Sequence, residues 1–231
     1  YQGNRNPLLG QGRRYIKALQ QKFMNTLNYI VKKYSLSLGK IFPITIPNVG
    51  RTELAGLFTE LGFKKGVEIG TEQGIYTETL CKANPNLHLY CVDPWIVYDN
   101  NLGYHIGTTQ KQFDTFYKET IERLRPYKAT IIREMSMVAV KRFKDDSLDF
   151  VYIDANHRLE YVIMDIVEWA KKVHPGGIVA GHDFIQYKYQ RYSHIVEALV
   201  AYNRSYRRGS PWFVVDSRPE DKFRSWFFIR Q

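Results

Sequence analysis

Two short stretches hold the residue types best suited to chemistry, Asp154-Ala155-Asn156-His157 and Gly181-His182-Asp183. Each follows a continuous apolar run, Leu148 to Ile153 and Gly177 to Ala180, that reads as a buried strand. Carboxylates and imidazoles at neighbouring strand ends suit general acid–base work or metal ligation. Imidazole titrates near neutrality, and carboxylate oxygens are hard ligands for magnesium. A second group follows three other apolar runs: Gly70-Thr71-Glu72-Gln73-Gly74, then Asp93-Pro94-Trp95, then Glu134-Met135-Ser136. Glycines in the first turn let the backbone approach a ligand and leave N–H groups at the start of the next helix. Asp93, about 20 residues further on, can accept both ribose hydroxyls of an adenosine. Together they indicate a nucleoside cofactor, although capped turns and hydrogen-bonded strand-end histidines would also account for these residues singly. The glycine spacing is not G-x-G-x-x-G, which weighs against an NAD-dependent dehydrogenase.

The elements that must position these residues alternate. From Arg51 onward the pattern predicts a helix over 52–61, a strand over 66–69 and a helix over 75–82. A strand over 87–92, a helix over 110–124 and a strand over 129–133 follow, then a short helix over 138–143. Next come a strand over 148–153, a helix over 159–173, a strand over 177–180 and a helix over 193–202. Such alternation implies an α/β fold with a parallel sheet and helices on both faces. The last two strands, 212–215 and 225–229, lie too close together for a helical crossover and should form an antiparallel hairpin. Ligands of such sheets bind beyond the carboxyl ends of the strands, where all five polar clusters fall.

With these residues in place, a resemblance becomes specific. Val67-Glu68-Ile69-Gly70-Thr71-Glu72-Gln73-Gly74 resembles the first motif of class I S-adenosylmethionine methyltransferases, and Cys91-Val92-Asp93-Pro94-Trp95 the second. The series Asp154-x-x-His157, Pro175-Gly176-Gly177 and Gly181-His182-Asp183 is similar to a subgroup of sugar and small-molecule O-methyltransferases related to the catechol type. The resemblance runs from about Arg51 to the C-terminus. It implies a Rossmann-like, seven-stranded, mostly parallel sheet with S-adenosylmethionine as cofactor. Gly70, Thr71, Gln73 and Gly74 would hold the methionine part, with Glu68 and Asp154 facing the cofactor too. Asp93 would take the ribose, Trp95 would cover the adenine face, and Met135 and Ser136 would border the adenine edge. Asp154, His157 and His182 would serve catalysis, and Asp154 and Asp183 would approach across one strand spacing. Two carboxylates that close repel unless a cation or proton sits between them, so magnesium or manganese is one candidate there, and His157 or His182 acting as base without a metal is the other. Catechol-type relatives carry Asn after the second Asp, whereas this chain has Phe184. His182 is then the substitute third ligand, better suited to manganese than to magnesium.

The rest of the chain bears on partners. The insertion from Trp95 to Tyr127 carries Tyr98, Tyr104, His105, Phe113, Phe116 and Tyr117, a candidate lid or acceptor-site wall or simply a packed helix. The net charge of +10 is concentrated at the two ends. No acidic residue precedes Glu53, and a second basic cluster includes Lys188, Arg191, Arg204, Arg207 and Arg208. Residues 1–50 read as a basic extension ahead of a methyltransferase domain over 51–231. Within the extension, Arg13 to Tyr34 shows an amphipathic helical stripe, and packing on the chain's own core is its commonest fate. Basic ends can also meet nucleic acid or a membrane surface. Arg207 and Arg208 could contact an anionic acceptor. There is no apolar run long enough to span a bilayer. The two cysteines, Cys81 and Cys91, read as buried free thiols, which points weakly to a reducing, cytoplasmic compartment. Three functions stay open at this point: O-methylation of a small hydroxylated acceptor such as a sugar or natural product, methylation of nucleic acid, and a non-catalytic cofactor-binding scaffold. The second lacks the Asp/Asn-Pro-Pro-Tyr/Phe motif of base-amine enzymes after Ile153. A homo-oligomer is equally open.

Overall fold

The computed structural model describes residues 7–98, 107–185, 193–216 and 223–231, with side chains from Lys17 onward. Tyr104, His105, Lys188 and Arg191 lie outside the described residues. In chain order the elements are α1 (Pro7–Lys33), β1 (Ile44–Ile46), α2 (Arg51–Glu60), β2 (Lys65–Ile69), α3 (Ile75–Ala83) and β3 (His88–Val92). They continue with α4 (Gln110–Leu124), β4 (Ala129–Ile132), α5 (Ser136–Ala139), β5 (Leu148–Ile153) and α6 (Leu159–Ala170). The last are β6 (Val173–Gly181), α7 (Ile195–Tyr202), β7 (Trp212–Val215) and β8 (Trp226–Ile229). The strands form one mixed sheet in the order β1-β7-β8-β6-β5-β2-β3-β4. Only β8 runs antiparallel to its neighbours, so the hairpin expected from the short connection is present.

The pleat explains why the strands are apolar throughout. Alternate residues face opposite layers, Val151 and Ile153 toward α6 and α7, Phe150 and Tyr152 toward α2 and α3. Cys81 and Cys91 are both free and buried in the second layer, and burial pushes the Cys81 thiol up to about 12 and Cys91 upward as well. Neither thiol is therefore a nucleophile near neutral pH.

The structure adds an eighth strand. Ile44-Thr45-Ile46 lies between two prolines and is too short to read as a strand by itself. Pairing in parallel with the edge strand β7 supplies its partner. This part of the basic extension thus belongs to the sheet. Ahead of it, α1 lies on β6: Leu27 and Ile30 are buried, and the Thr26 hydroxyl donates to the Gly176 carbonyl at 2.7 Å. At its far end Tyr29 and Lys33 both bond Glu60. The Pro175-Gly176-Gly177 stretch is drawn into β6, which starts earlier than its apolar run. The register there slips between Leu148↔Val173 and Phe150↔Ile178, a bulge that absorbs the extra residues.

Candidate active site

Strands β2 to β6 are parallel apart from the antiparallel partner beyond them, so their carboxyl ends share one pole of the sheet. At the end of β2 the chain turns through Gly70 (φ +87°), Glu72 (φ +49°) and Gly74 (φ +72°), with Gly74 starting α3. A Cβ on Gly70 would stand 2.0 Å from the Asp154 carbonyl oxygen, so this turn closes against β5 only because the residue is glycine. The Thr71 hydroxyl is buried there without a hydrogen-bond partner, a polar atom suited to a ligand. Gln73 is half-buried, and its carbonyl accepts from Arg123 Nε at 3.0 Å.

Asp93, half-buried after β3, accepts from the Glu72 amide (3.0 Å) and the Trp95 amide (2.8 Å). It couples the first two turns, and a carboxylate retains lone pairs for further donors. The Trp95 ring is fully buried against Tyr117, and Nε1 donates to the Glu72 carbonyl, so it braces the turn. Nearby, the Tyr98 hydroxyl accepts from Asn156 Nδ2 at 3.4 Å, and its ring meets Tyr161 edge-on. After β4, Met135 caps α5, and the Ser136 hydroxyl donates to Asp165 while accepting from Trp169 Nε1. The Ser136 side chain is therefore turned into the protein, and only its backbone borders the cleft from that position.

Beyond β5 and β6 the four chemical groups converge. One ligand atom each from Asp154, His182 and Asp183 lies within 4.8 Å of the others. His157 Nε2 stands 3.0 Å from Asp183 Oδ2 and 4.0 Å from Asp154 Oδ1, and His182 Nδ1 is 3.8 Å from Asp154 Oδ2. Burial pushes Asp154 up, with the His182 charge opposing. Burial also works to raise Asp183, but its bonds to His157 and His182 prevail and hold it well below the usual carboxylate range. His157 is raised because its bond to Asp183 outweighs its own burial. Two carboxylates and an imidazole are a donor set that a divalent cation fits. Phe184, in the place of the relatives' Asn, points away and packs edge-on against Trp212.

Sequence reading missed Arg51. It opens α2 at this pole, lies over the Tyr76 ring at 5.1 Å and approaches Asp154 Oδ2 to 3.9 Å. No spacing rule links residues this far apart; β1 delivers the chain to the right pole. Arg207, in contrast, is not near the cleft. It is buried at the opposite pole, bonding the Pro211 and Ile229 carbonyls, and Arg208 lies beside it in sequence.

Glu68 lies beneath the first turn, buried, with the Thr77 hydroxyl donating to it. Burial pushes its carboxyl up to about 8, against the pull of Thr77. In the unfolded chain a Glu ionises near ~4.3, so above that pH the unfolded state has lost a proton that the folded state keeps. Stability therefore declines as pH rises from there through about 8. Glu68→Gln, similar in shape and never charged, is expected to melt with the wild type near pH 4. At pH 8–9 it should melt roughly 5–10 °C higher. Thermal melts across this range check the expectation, and a pH-independent difference would refute it.

A family model described as a methyltransferase domain matches residues 67–184, more than half of the chain. Comparison with curated proteins finds no match. Among solved structures, the chain is similar to a putative caffeoyl-CoA O-methyltransferase from Staphylococcus aureus, at 14% identity and a TM-score of 0.53, covering 96% of this chain and 100% of that one. It is also similar to the O-methyltransferase TomG from Streptomyces achromogenes, solved with SAM, at 12% identity and a TM-score of 0.55 over 93% and 90%. An O-methyltransferase family protein from Burkholderia thailandensis matches at 11% identity and a TM-score of 0.56, covering 78% of this chain but only 55% of that one. The chain spans about half of that last protein's length. Identities this low show the fold; the matching family model shows the kinship. The chain belongs to the methyltransferase-domain family and is a class I S-adenosylmethionine-dependent methyltransferase.

Proposed function

We propose that this protein methylates a hydroxyl of a small acceptor, a sugar or natural product, at the pole formed by Asp154, His157, His182 and Asp183. The observation that carries the reading is the convergence of these four groups beside the Gly70 turn. S-adenosylmethionine supplies an electrophilic methyl group on a sulfonium. The Gly70–Gly74 turn, with the unpartnered Thr71 hydroxyl, would hold its methionine end, and Asp93 its ribose. A magnesium or manganese ion held by Asp154, His182 and Asp183 would make an acceptor hydroxyl more acidic. His157, hydrogen-bonded to Asp183, is the group placed to take the hydroxyl proton as oxygen attacks carbon and the S–C bond breaks. Arg51 and the imidazoles hold Asp154 in place. The methyl acceptor is read as small rather than as nucleic acid because the described exposed basic residues of both chain ends lie away from this cleft.

Calorimetric titration with S-adenosylhomocysteine, with and without manganese, tests the cofactor part. Micromolar binding is expected, weakened by Asp93→Ala about tenfold to a hundredfold, the equivalent of one or two charged hydrogen bonds. Asp93→Asn, which still accepts hydrogen bonds, should lose less. Wild-type affinity in Asp93→Ala would remove the ribose role.

A further inference from the structure

The two basic ends of the chain meet in the fold. Parallel pairing of β1 with β7, Ile44 opposite Phe213, places the segment leaving α1 beside the turn that ends α7. Strand spacing of roughly 5 Å brings these segments together at the amino-terminal pole, opposite the active site. Phe42 packs on the core cluster that contains Tyr202 and Trp212, which holds the first segment down. Its tip is nonetheless apolar and open: Ile41 is 87% exposed and Leu38 46%, and at the same pole Tyr206, just past the end of α7, is 65% exposed. The segments that meet at this pole also carry Lys32, Lys40, Arg204 and Arg208, all exposed and without a carboxylate partner among the described residues. The nearby Glu60 is already engaged by Lys33 and Tyr29, and Glu168 by Lys171. The opposite pole carries Glu72, Asp93, Asp154 and Asp183, with Arg51 and Arg158 among them. Asp145, also at the amino-terminal pole, is paired with Lys172, so the exposed cations near the tip are not matched by these acids.

We propose that this basic, apolar-tipped pole docks on an anionic lipid bilayer, with the active site facing the solution. The choice of occupant follows from the chemistry. Aliphatic side chains beside cations suit the headgroup boundary, where apolar burial and charge attraction add. A single-stranded nucleic acid would call for open aromatic platforms. Here Tyr206 offers a single open ring face, its other face stacked on Tyr202 at 5.0 Å, too little for successive bases. A second copy would bring the same cations against each other. The inference does not depend on the catalytic reading.

Flotation of the full chain with phosphatidylcholine vesicles, with and without about 30 mol% phosphatidylserine, tests it. Binding to the anionic vesicles alone is expected at low salt, fading as salt rises. Leu38→Asp with Ile41→Asp should weaken it at least roughly tenfold, and Lys40→Glu with Arg204→Glu and Arg208→Glu at least as much. Both sets should keep wild-type S-adenosylhomocysteine affinity, which separates lost docking from lost folding. Absence of wild-type flotation overturns the proposal, as does flotation that neither set alters. So does binding to poly(U) that exceeds vesicle binding and ignores the aspartates, or a dimer in solution that the aspartates dissolve.

Discussion

Asp154→Asn is expected to lower methyl transfer about a thousandfold, a rise of roughly 4 kcal/mol in the barrier, and to abolish manganese binding. Asp154 has His157, His182 and Arg51 all within 4.0 Å, and its carboxylate is the one the other three groups surround. Asparagine keeps the shape and removes the charge. The backbone bond from the Asp154 amide to Ile69 is untouched, so the Gly70 turn should persist. Affinity for S-adenosylhomocysteine should accordingly stay within roughly threefold, since the lost charge acts on metal and acceptor. The measurement is release of S-adenosylhomocysteine with a panel of hydroxylated acceptors, alongside manganese calorimetry. Wild-type turnover in the variant would sink the assignment of this pole as the catalytic centre. A matching loss of cofactor affinity would instead mean that Asp154 mainly shapes the cofactor site.

Gly70→Ala should cost the protein its cofactor. Two effects combine at this position: a φ of +87° that L side chains rarely adopt, and a Cβ that would meet the Asp154 carbonyl oxygen at 2.0 Å and the Ala155 Cα at 2.8 Å. Both are backbone atoms, so no side chain can yield. The ends of β2 and β5 would have to part, opening the turn where Thr71 and Asp93 are aligned. A loss of about 2–4 kcal/mol in stability and at least a hundredfold in S-adenosylhomocysteine affinity is expected. Gly62→Ala is the control. Its φ of +74° carries comparable backbone strain, but nothing lies within 4 Å of the added Cβ. It should cost about 1 kcal/mol and leave binding unchanged. Equal loss of binding in both variants would show that strain alone, and not closure against Asp154, matters at the turn.

Local pattern alone determined much of this protein. Strands β2 to β5 and the hairpin follow from short apolar runs. Helix α4 follows from its periodicity, and in the structure the Thr109 side chain caps it. The polar residues just past each strand could be singled out as candidates because a parallel sheet puts all such positions at one pole. What periodicity does not carry is pairing between distant segments. Ile44-Thr45-Ile46 has no strand signal of its own and becomes one by completing the edge of β7. That same pairing sets Arg51 beside Asp154 and unites the two basic ends at the far pole. Side-chain direction was likewise decided only by packing. Trp95 and Ser136 stand where sequence puts them, but packing turns both inward: Tyr117 of α4 covers the Trp95 ring while the Glu72 carbonyl takes its N–H, and Asp165 and Trp169 of α6 take the Ser136 hydroxyl. Residue type and spacing specify which positions reach the cleft, and only the packed structure, which must satisfy every buried donor and acceptor, specifies which of them face a ligand.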